Sequence, residues 1–331
     1  MQHEPENTRL SDRWINLAAE RLGTRVLYAN DEFFAAKENL IKPGRAIFIP
    51  GKYVDTGKWM DGWETRRRRE PGHDFAWIRL GLSGRIRGFD IDTHHFNGNQ
   101  PTKASVDAAC LPHDPDENTT WTCILEPQPL GPSSQHLFEI DNTDRFTHVR
   151  LNIYPDGGVA RFRVFGEVRA DWDTIPQDAV IDLASVTHEG KVILCSDMHF
   201  GHKDNMNAPG RGSDMGDGWE TRRRRGPGHD WAIIALGKRG ELDHLVVDTA
   251  HFKGNYPDRC SVDGANLSPG VHKALDRPDI WSPVLGESKL RADHEHIFSE
   301  LLHRGPFTHL RLNIFPDGGI SRFRVMGRRC D

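Results

Sequence analysis

The chain has 331 residues, with 43 Lys and Arg against 48 Asp and Glu and a formal net charge of −5. This balance gives no general pull toward nucleic acid, and no run comes near the roughly 18 apolar residues of a membrane span, so neither is an expected partner. The five cysteines, Cys110, Cys123, Cys195, Cys260 and Cys330, form no CxxC and no repeating framework, which predicts reduced thiols in a cytoplasmic protein.

The first residues, MQHEPENTRLSDRW, are polar and lack the apolar core of a secretory signal, predicting a loosely packed leader over 1–14. From there the chain is written twice. Leu17 to Glu20 aligns with Leu183 to Val186, and the short strand Val26-Leu27-Tyr28 aligns with Val192-Ile193-Leu194. Asp31, Phe34 and Asn39 then match Asp197, Phe200 and Asn205 in a segment without helical or strand period, which predicts a loop of defined shape. The copies diverge next: residues 46–60 lie between Arg45 and Asp61, where the second copy has only Gly212 to Gly216.

After this gap comes the best-preserved stretch. Residues 61–74 read DGWETRRRREPGHD and residues 217–230 read DGWETRRRRGPGHD, differing only at Glu70 against Gly226. A repeat maintained only by its fold keeps its apolar pattern and lets polar loops drift, so a doubled polar loop points to function. Strand signals follow. In FAWIRL, HVRLNIY and VARFRV, apolar residues alternate with their neighbours, the period of half-buried strands. The last two flank Pro155-Asp156-Gly157-Gly158, repeated as Pro316 to Gly319, whose residues suit a hairpin turn. With no sustained helical period anywhere, each half reads as an antiparallel β-sandwich, and Arg169 to Pro176 reads as the linker.

Four arginines beside the same Trp, Glu and His admit two readings. They can bind a carboxylate substrate through paired planar hydrogen bonds, or they can bridge internal Asp and Glu residues. In an extended segment alternate arginines face opposite sides, so the run can serve both ends. Glu64 and Glu220 suit either an ion pair or general acid–base work. His73-Asp74 and His229-Asp230 sit at a strand entry in a polar loop, a placement that favours chemistry over packing, whereas Trp63 and Trp219 read as loop anchors. His95/His251, His136/His296 and His148/His309 recur near acids, compatible with a divalent metal, but their spacing fits no compact metal motif. No GxSxG is present and no Cys recurs, so nucleophilic Ser or Cys chemistry has no support.

The doubled DGWETRRRRxPGHD, the DTxHFxGN segments at Asp92 to Asn99 and Asp248 to Asn255, and the RLNIxPDGGxxRFRV stretches resemble the allantoicase family over nearly the whole chain. The resemblance implies an all-β fold of two tandem jelly-roll β-sandwiches of the galactose-binding-like type, spanning 15–169 and 178–331. It also implies a homo-oligomer and the hydrolysis of allantoate to ureidoglycolate and urea. That reaction asks for one acid to protonate the departing nitrogen and one base for the incoming water. Within the cassette the groups able to serve are Glu64, His73, Asp74, Glu220, His229 and Asp230. Arg66, Arg68, Arg222 and Arg224 are expected on the substrate carboxylate and Asn99 and Asn255 on its ureido groups, with His95 and His251 also expected to bind the substrate. No cofactor is required. Both cassettes are intact, so both are expected to contribute. The competing readings are a non-catalytic tandem carbohydrate-binding module and a metal-dependent hydrolase of another ureido compound.

Overall fold

The structure is a computed structural model that describes residues 10–268, 275 and 277–330. The chain divides into two compact units, Met1–Arg169 and Ala170–Asp331. In the first, α1 (Leu10–Arg13) is followed by β1 (Ile15–Asn16), β2 (Arg25–Ala29), β3 (Tyr53–Val54), β4 (Gly57–Lys58), β5 (Trp63–Glu64) and β6 (Asp74–Asp92). Then come β7 (Lys103–Ala109), β8 (Thr122–Pro129), β9 (Gln135–Glu139), β10 (Arg145–Tyr154), β11 (Gly158–Val159) and β12 (Arg161–Val168). The expected loose leader lies outside the described residues up to position 9. From Leu10 onward the chain departs from that expectation, because Leu10 is 2% exposed and occupies the space a side chain at Gly88 would need.

The organising element is β6, the long strand that begins at the end of the repeated cassette. Its first part pairs with β2 and β10 and its last part with β9 and β12, all antiparallel. Ile153 of β10 lies opposite Asp74, and Arg161 of β12 lies opposite Asp92. A straight strand of 19 residues would hold those two pairings roughly 60 Å apart. The chain from Ile153 to Arg161 can reach at most about 28 Å. The strand therefore folds over and is shared by both layers of the sandwich: β8, β7, β10 and β2 join its first part, β9, β12 and β1 its last. Between the layers lie Ile78, Ile86, Phe89, Ile91, Leu151, Ile153, Phe162 and Val164, none measurably exposed.

This corrects the hairpin expected at Pro155 to Gly158. The strands on either side of the turn do not pair with each other; each pairs with a different part of β6. Local turn chemistry is the same for a hairpin and for a change of layer, and the sequence could not distinguish them. The turn instead feeds β11, which pairs with β5 through Gly158 opposite Glu64.

The second unit repeats the plan with β13 (Ile181–Asp182), β14 (Lys191–Cys195), β15 (Trp219–Glu220), β16 (Asp230–Asp248), β17 (Arg259–Ala265) and β18 (Ser282–Lys289). It continues with β19 (Glu295–Phe298), β20 (Phe307–Phe315), β21 (Gly319–Ile320) and β22 (Arg322–Arg329), and β15 pairs with β21 as β5 does with β11. The protein is thus all-β, with two tandem jelly-roll sandwiches. All five cysteines are free, and no described helix is long and apolar enough to cross a membrane.

Gly158 packs so closely on Phe96 that an added Cβ would lie 1.9 Å from the ring. Phe96 is itself fully buried, so it cannot swing away without displacing β5. Gly158→Ala is therefore expected to destabilise the fold by about 1–3 kcal/mol or more, the range for overpacking. An unaltered melting temperature would show that Phe96 has room to move.

Candidate active site

Glu64 sits on a strand of two residues, too short to hold itself, between the equally short β11 and the Asp31–Asn39 loop. On one side it pairs with Gly158. On the other its backbone N–H donates to the Ala35 carbonyl at 3.1 Å, while Phe34 and Ala35 each donate to its own carbonyl at 3.2 Å. Trp63, fully buried, donates its indole N–H to the Asp31 carbonyl at 2.8 Å, confirming it as an anchor. Asn39 donates to the Gly62 carbonyl at 2.9 Å. The aperiodic Asp31–Asn39 segment thus has a defined shape because it is one wall of this clamp. Asp197, Trp219 and Asn205 make the same bonds in the second unit.

The Glu64 side chain faces a cavity of about 200 Å³ lined by Phe34, Lys58, Met60, Glu64, His95, Asn97 and Asn99. Asn99 donates its amide N–H to Glu64 Oε1 at 2.7 Å, leaving Oε2 unpartnered by that bond. Burial pushes the Glu64 carboxyl above its ordinary value, against the opposing pull of the Asn99 hydrogen bond and the Lys58 charge. His95 holds a φ of 70°, an uncommon left-handed conformation for a residue with a side chain, and His251 repeats it at 69°. The ring Nε2 of His95 lies 3.1 Å from the Ala46 carbonyl. A carbonyl only accepts, so in the neutral ring Nε2 carries the proton and Nδ1 keeps a lone pair.

The other predicted site residues lie elsewhere. Arg66 donates through Nε to Asp31 Oδ2 at 2.7 Å, and Asp31 Oδ1 also accepts the Arg66 backbone N–H. Burial would raise the Asp31 carboxyl, but the hydrogen bonds from Arg66 and Phe33 hold it below its ordinary value. Arg68 donates to the buried Asp74 carboxylate at 2.7 Å, and Asn30 donates to the same oxygen at 2.9 Å. His73 packs on the Tyr154 ring with centroids 4.8 Å apart. None of the four lines the cavity. In the second unit Arg222 bridges to Asp197, Arg224 to Asp230, and His229 packs on Phe315. Of the two readings of the arginine run, internal bridging describes Arg66 and Arg68. Arg67 and Arg69 are exposed.

The structure thus places Glu64, His95 and Asn99 in the lining of this cavity and His73, Asp74, Arg66 and Arg68 outside it, with Arg66, Arg68 and Asp74 hydrogen-bonded within the loop region. The second unit keeps the corresponding trio: Asn255 donates to Glu220 Oε1, and His251 Nε2 lies 2.9 Å from the Gly212 carbonyl. His136 is a turn clip, its Nε2 accepting from Gly131 N at 2.7 Å and its Nδ1 on the Ile91 carbonyl at 2.9 Å. His296 does the same work. Among the described residues no group of three or more His, Cys, Asp or Glu is placed to hold a metal ion. Sequence reasoning missed Phe34, Lys58, Met60 and Asn97. Lys58 and Met60 belong to the unrepeated segment 46–60, and Asn97 is Lys253 in the second copy, so a search for repeated residues passes over them. Phe34 recurs as Phe200, a signal that was present.

Comparison with known proteins bears on this arrangement. The model of the allantoicase repeat matches twice, over residues 15–169 and 181–330. A probable allantoicase of Burkholderia mallei is 50% identical over 98% of this chain and 96% of its own length. One from Photobacterium profundum is 50% identical over 97% of this chain and 98% of its own. The crystal structure of allantoicase from Saccharomyces cerevisiae superposes with a TM-score of 0.77 at 39% identity, covering 95% of this chain and 93% of that one. With the clamped glutamate, its amide partner and the left-handed histidine repeated in both units, and both repeats matched, the chain belongs to the allantoicase family.

Proposed function

We propose that the protein hydrolyses allantoate to ureidoglycolate and urea in the first-unit cavity, with Glu64 as the acid and His95 as the base. The observation that carries this reading is the Glu64–Asn99 pair. Burial favours the protonated acid, Asn99 occupies Oε1, and Oε2 is left to carry the proton. That proton goes to the departing ureido nitrogen. The C–N bond breaks with its electron pair on nitrogen, and urea leaves. The remaining ureido nitrogen shares its lone pair with the central carbon, giving an acyliminium-like centre. Water adds its oxygen to that carbon and gives a proton to His95 Nδ1, from which Glu64 is recharged through solvent. Atoms balance as allantoate plus water to ureidoglycolate plus urea. Asn97 and Asn99 offer the amide groups that a ureido N–H and carbonyl require.

The first unit is preferred over an equal sharing between copies because segment 46–60 supplies Met60 and Lys58 to the lining of its cavity. The second unit has only Gly212 to Gly216 in that place. A homo-oligomer, the cytoplasm as compartment and domain limits of 15–169 and 178–331 belong to the same reading, as does chemistry without a metal.

The first expected outcome is urea release from allantoate, undiminished by a chelator, with little or none from allantoin, whose ring lacks the free carboxylate. Glycan binding without urea release would instead favour a binding module, and loss of activity on chelation would favour a metal-dependent hydrolase.

The second concerns Glu64→Gln, which keeps an acceptor for Asn99 and removes the proton. It should lower kcat by about 10²–10⁴-fold, while Glu220→Gln retains most activity; the reverse pattern would move the chemistry to the second unit. The same variant has a stability signature. A carboxyl raised by burial contributes stability that is complete below its ordinary value of 4.5 and lost as pH rises through the raised value. Once the pH is above the raised value the wild type carries a buried charge that glutamine does not. The melting temperature of Glu64→Gln relative to wild type should therefore rise with pH from about 4 upward. A relative melting temperature that falls with rising pH would show that the carboxylate is a net stabilising partner.

A further inference from the structure

We infer that Lys58 binds the carboxylate of the substrate and so selects a ureido acid over neutral ureido compounds, an inference that rests on the reading of the first-unit cavity given above. The arginines expected to do this are committed elsewhere, Arg66 to Asp31 and Arg68 to Asp74. Among the described residues, Lys58 is the one lysine or arginine in the lining of the cavity. Among the described residues it makes no salt bridge, its charge acting on Glu64 only from a distance. Its ammonium lies over the Phe48 ring, 4.5 Å from the centroid. Phe48 in turn stacks on the His95 imidazole with centroids 5.8 Å apart. The charge is thus held beside the proposed base by an aromatic face that attracts a cation without neutralising it.

The segment that carries Lys58 is built to hold it. Strands β3 and β4 form a small hairpin with Tyr53 opposite Lys58. At its base Trp59 donates its backbone N–H to the Lys52 carbonyl at 3.1 Å, and the Lys52 ammonium sits 3.8 Å from the centre of the Trp59 ring. At the segment's start the Ile47 N–H donates to Asp61 Oδ2 at 2.9 Å. That carboxylate is locked in turn by Arg161 at 2.6 Å. The second unit has no such segment, and its Lys253, which stands where Asn97 does, is shared with the nearby Asp293 charge.

A carboxylate on Lys58 would also bear on the acid. The Lys58 charge pulls the Glu64 carboxyl down, against the effect of burial. A bound anion cancels that pull, so the arrival of a substrate with a carboxylate favours the protonated Glu64 that the first step uses. A neutral ureido compound would leave Lys58 uncompensated and Glu64 less ready to donate.

The test separates binding from turnover. N-carbamoylglycine has the carboxylate and one ureido group but no second ureido group to expel, and its amide has the same shape without the charge. Calorimetric titration of both into the wild type, Lys58→Met and Lys58→Arg is read beside KM and kcat for allantoate. Lys58→Met should weaken N-carbamoylglycine and raise KM by about tenfold or more, the scale of one charged hydrogen bond, with kcat changing far less. The amide should bind both proteins alike, Lys58→Arg should recover most of the affinity, and the melting temperature should stay unchanged. Equal affinity of wild type and Lys58→Met for N-carbamoylglycine, no binding by the wild type, or an equal loss for the amide would overturn the assignment. If Lys58-dependent binding is found without urea release from allantoate, the hydrolytic reading fails and the anchor stands. If urea is released and Lys58→Met changes neither constant, the anchor alone fails.

Discussion

The site depends on one arrangement, a two-residue strand held between two loops that belong to neither layer's core. Glu64 has no regular sheet around it; its position is set by Gly158 on one side and Ala35 on the other. Magnitudes indicate which contacts matter most. The Arg66–Asp31 bridge has an arginine 64% exposed, and such pairs contribute about 0–1 kcal/mol. A fully buried Trp63 with its indole N–H satisfied contributes several times that through apolar area, of the order of 3 kcal/mol. The buried Arg161–Asp61 pair is a different matter, since loss of one partner would strand a charge, at about 3–5 kcal/mol. Trp63 and Asp61 therefore hold the loop, and the exposed Arg66 bridge adds little.

That ranking explains what could be read from the sequence. The period of two in FAWIRL and HVRLNIY gives the strands and their buried faces directly, because alternation is a local property. The duplication gave the cassette, and the cassette contains Glu64. Its remaining residues were equally prominent in the sequence, yet most of them serve the clamp. Arg66 and Asp74 bond to Asp31 and Asn30, and such a bond has no signature until both partners are placed. The PDGG turn shows the same limit: glycine and proline report that the chain turns, while whether it returns beside itself or crosses to the other layer is decided by β6, many residues away. Lys58 was hidden for the opposite reason, since it occurs once in a molecule otherwise read by comparing its halves.

The unrepeated features cluster on one side of the comparison. Asp90, opposite Arg163, has Val246 as its counterpart, opposite Arg324. His94, its Nδ1 2.6 Å from Asp92, has Ala250. Burial, and then the neighbouring Asp92 charge, push the Asp90 carboxyl up to about 6. Stability from its protonated form is complete below 3.8 and gone once the pH passes about 6, so near neutrality this residue works against the fold. The second unit avoids that cost with valine at no loss of architecture. His94 and segment 46–60 stand beside His95 in the first unit, Asp90 lies near the Asp92 that His94 contacts, and none of the three has a counterpart in the second.

The two copies therefore share the clamp and differ in what is placed over it. A buried carboxylic acid is useful as a proton donor only while it stays protonated, and a lysine beside it works against that. The two requirements are reconciled if the lysine is free only when the cavity is empty. Before binding, the Lys58 charge keeps Glu64 closer to its ordinary value, which lowers the cost of a buried acid in the resting protein. On binding, a carboxylate takes up the lysine, water leaves, and both changes drive Glu64 toward the protonated form. The second copy, with only Gly212 to Gly216 in place of segment 46–60, has no lysine at that place to be taken up. In it the same glutamate, asparagine and histidine are held in the same backbone geometry, and what differs is the segment that brings a lysine to the first trio.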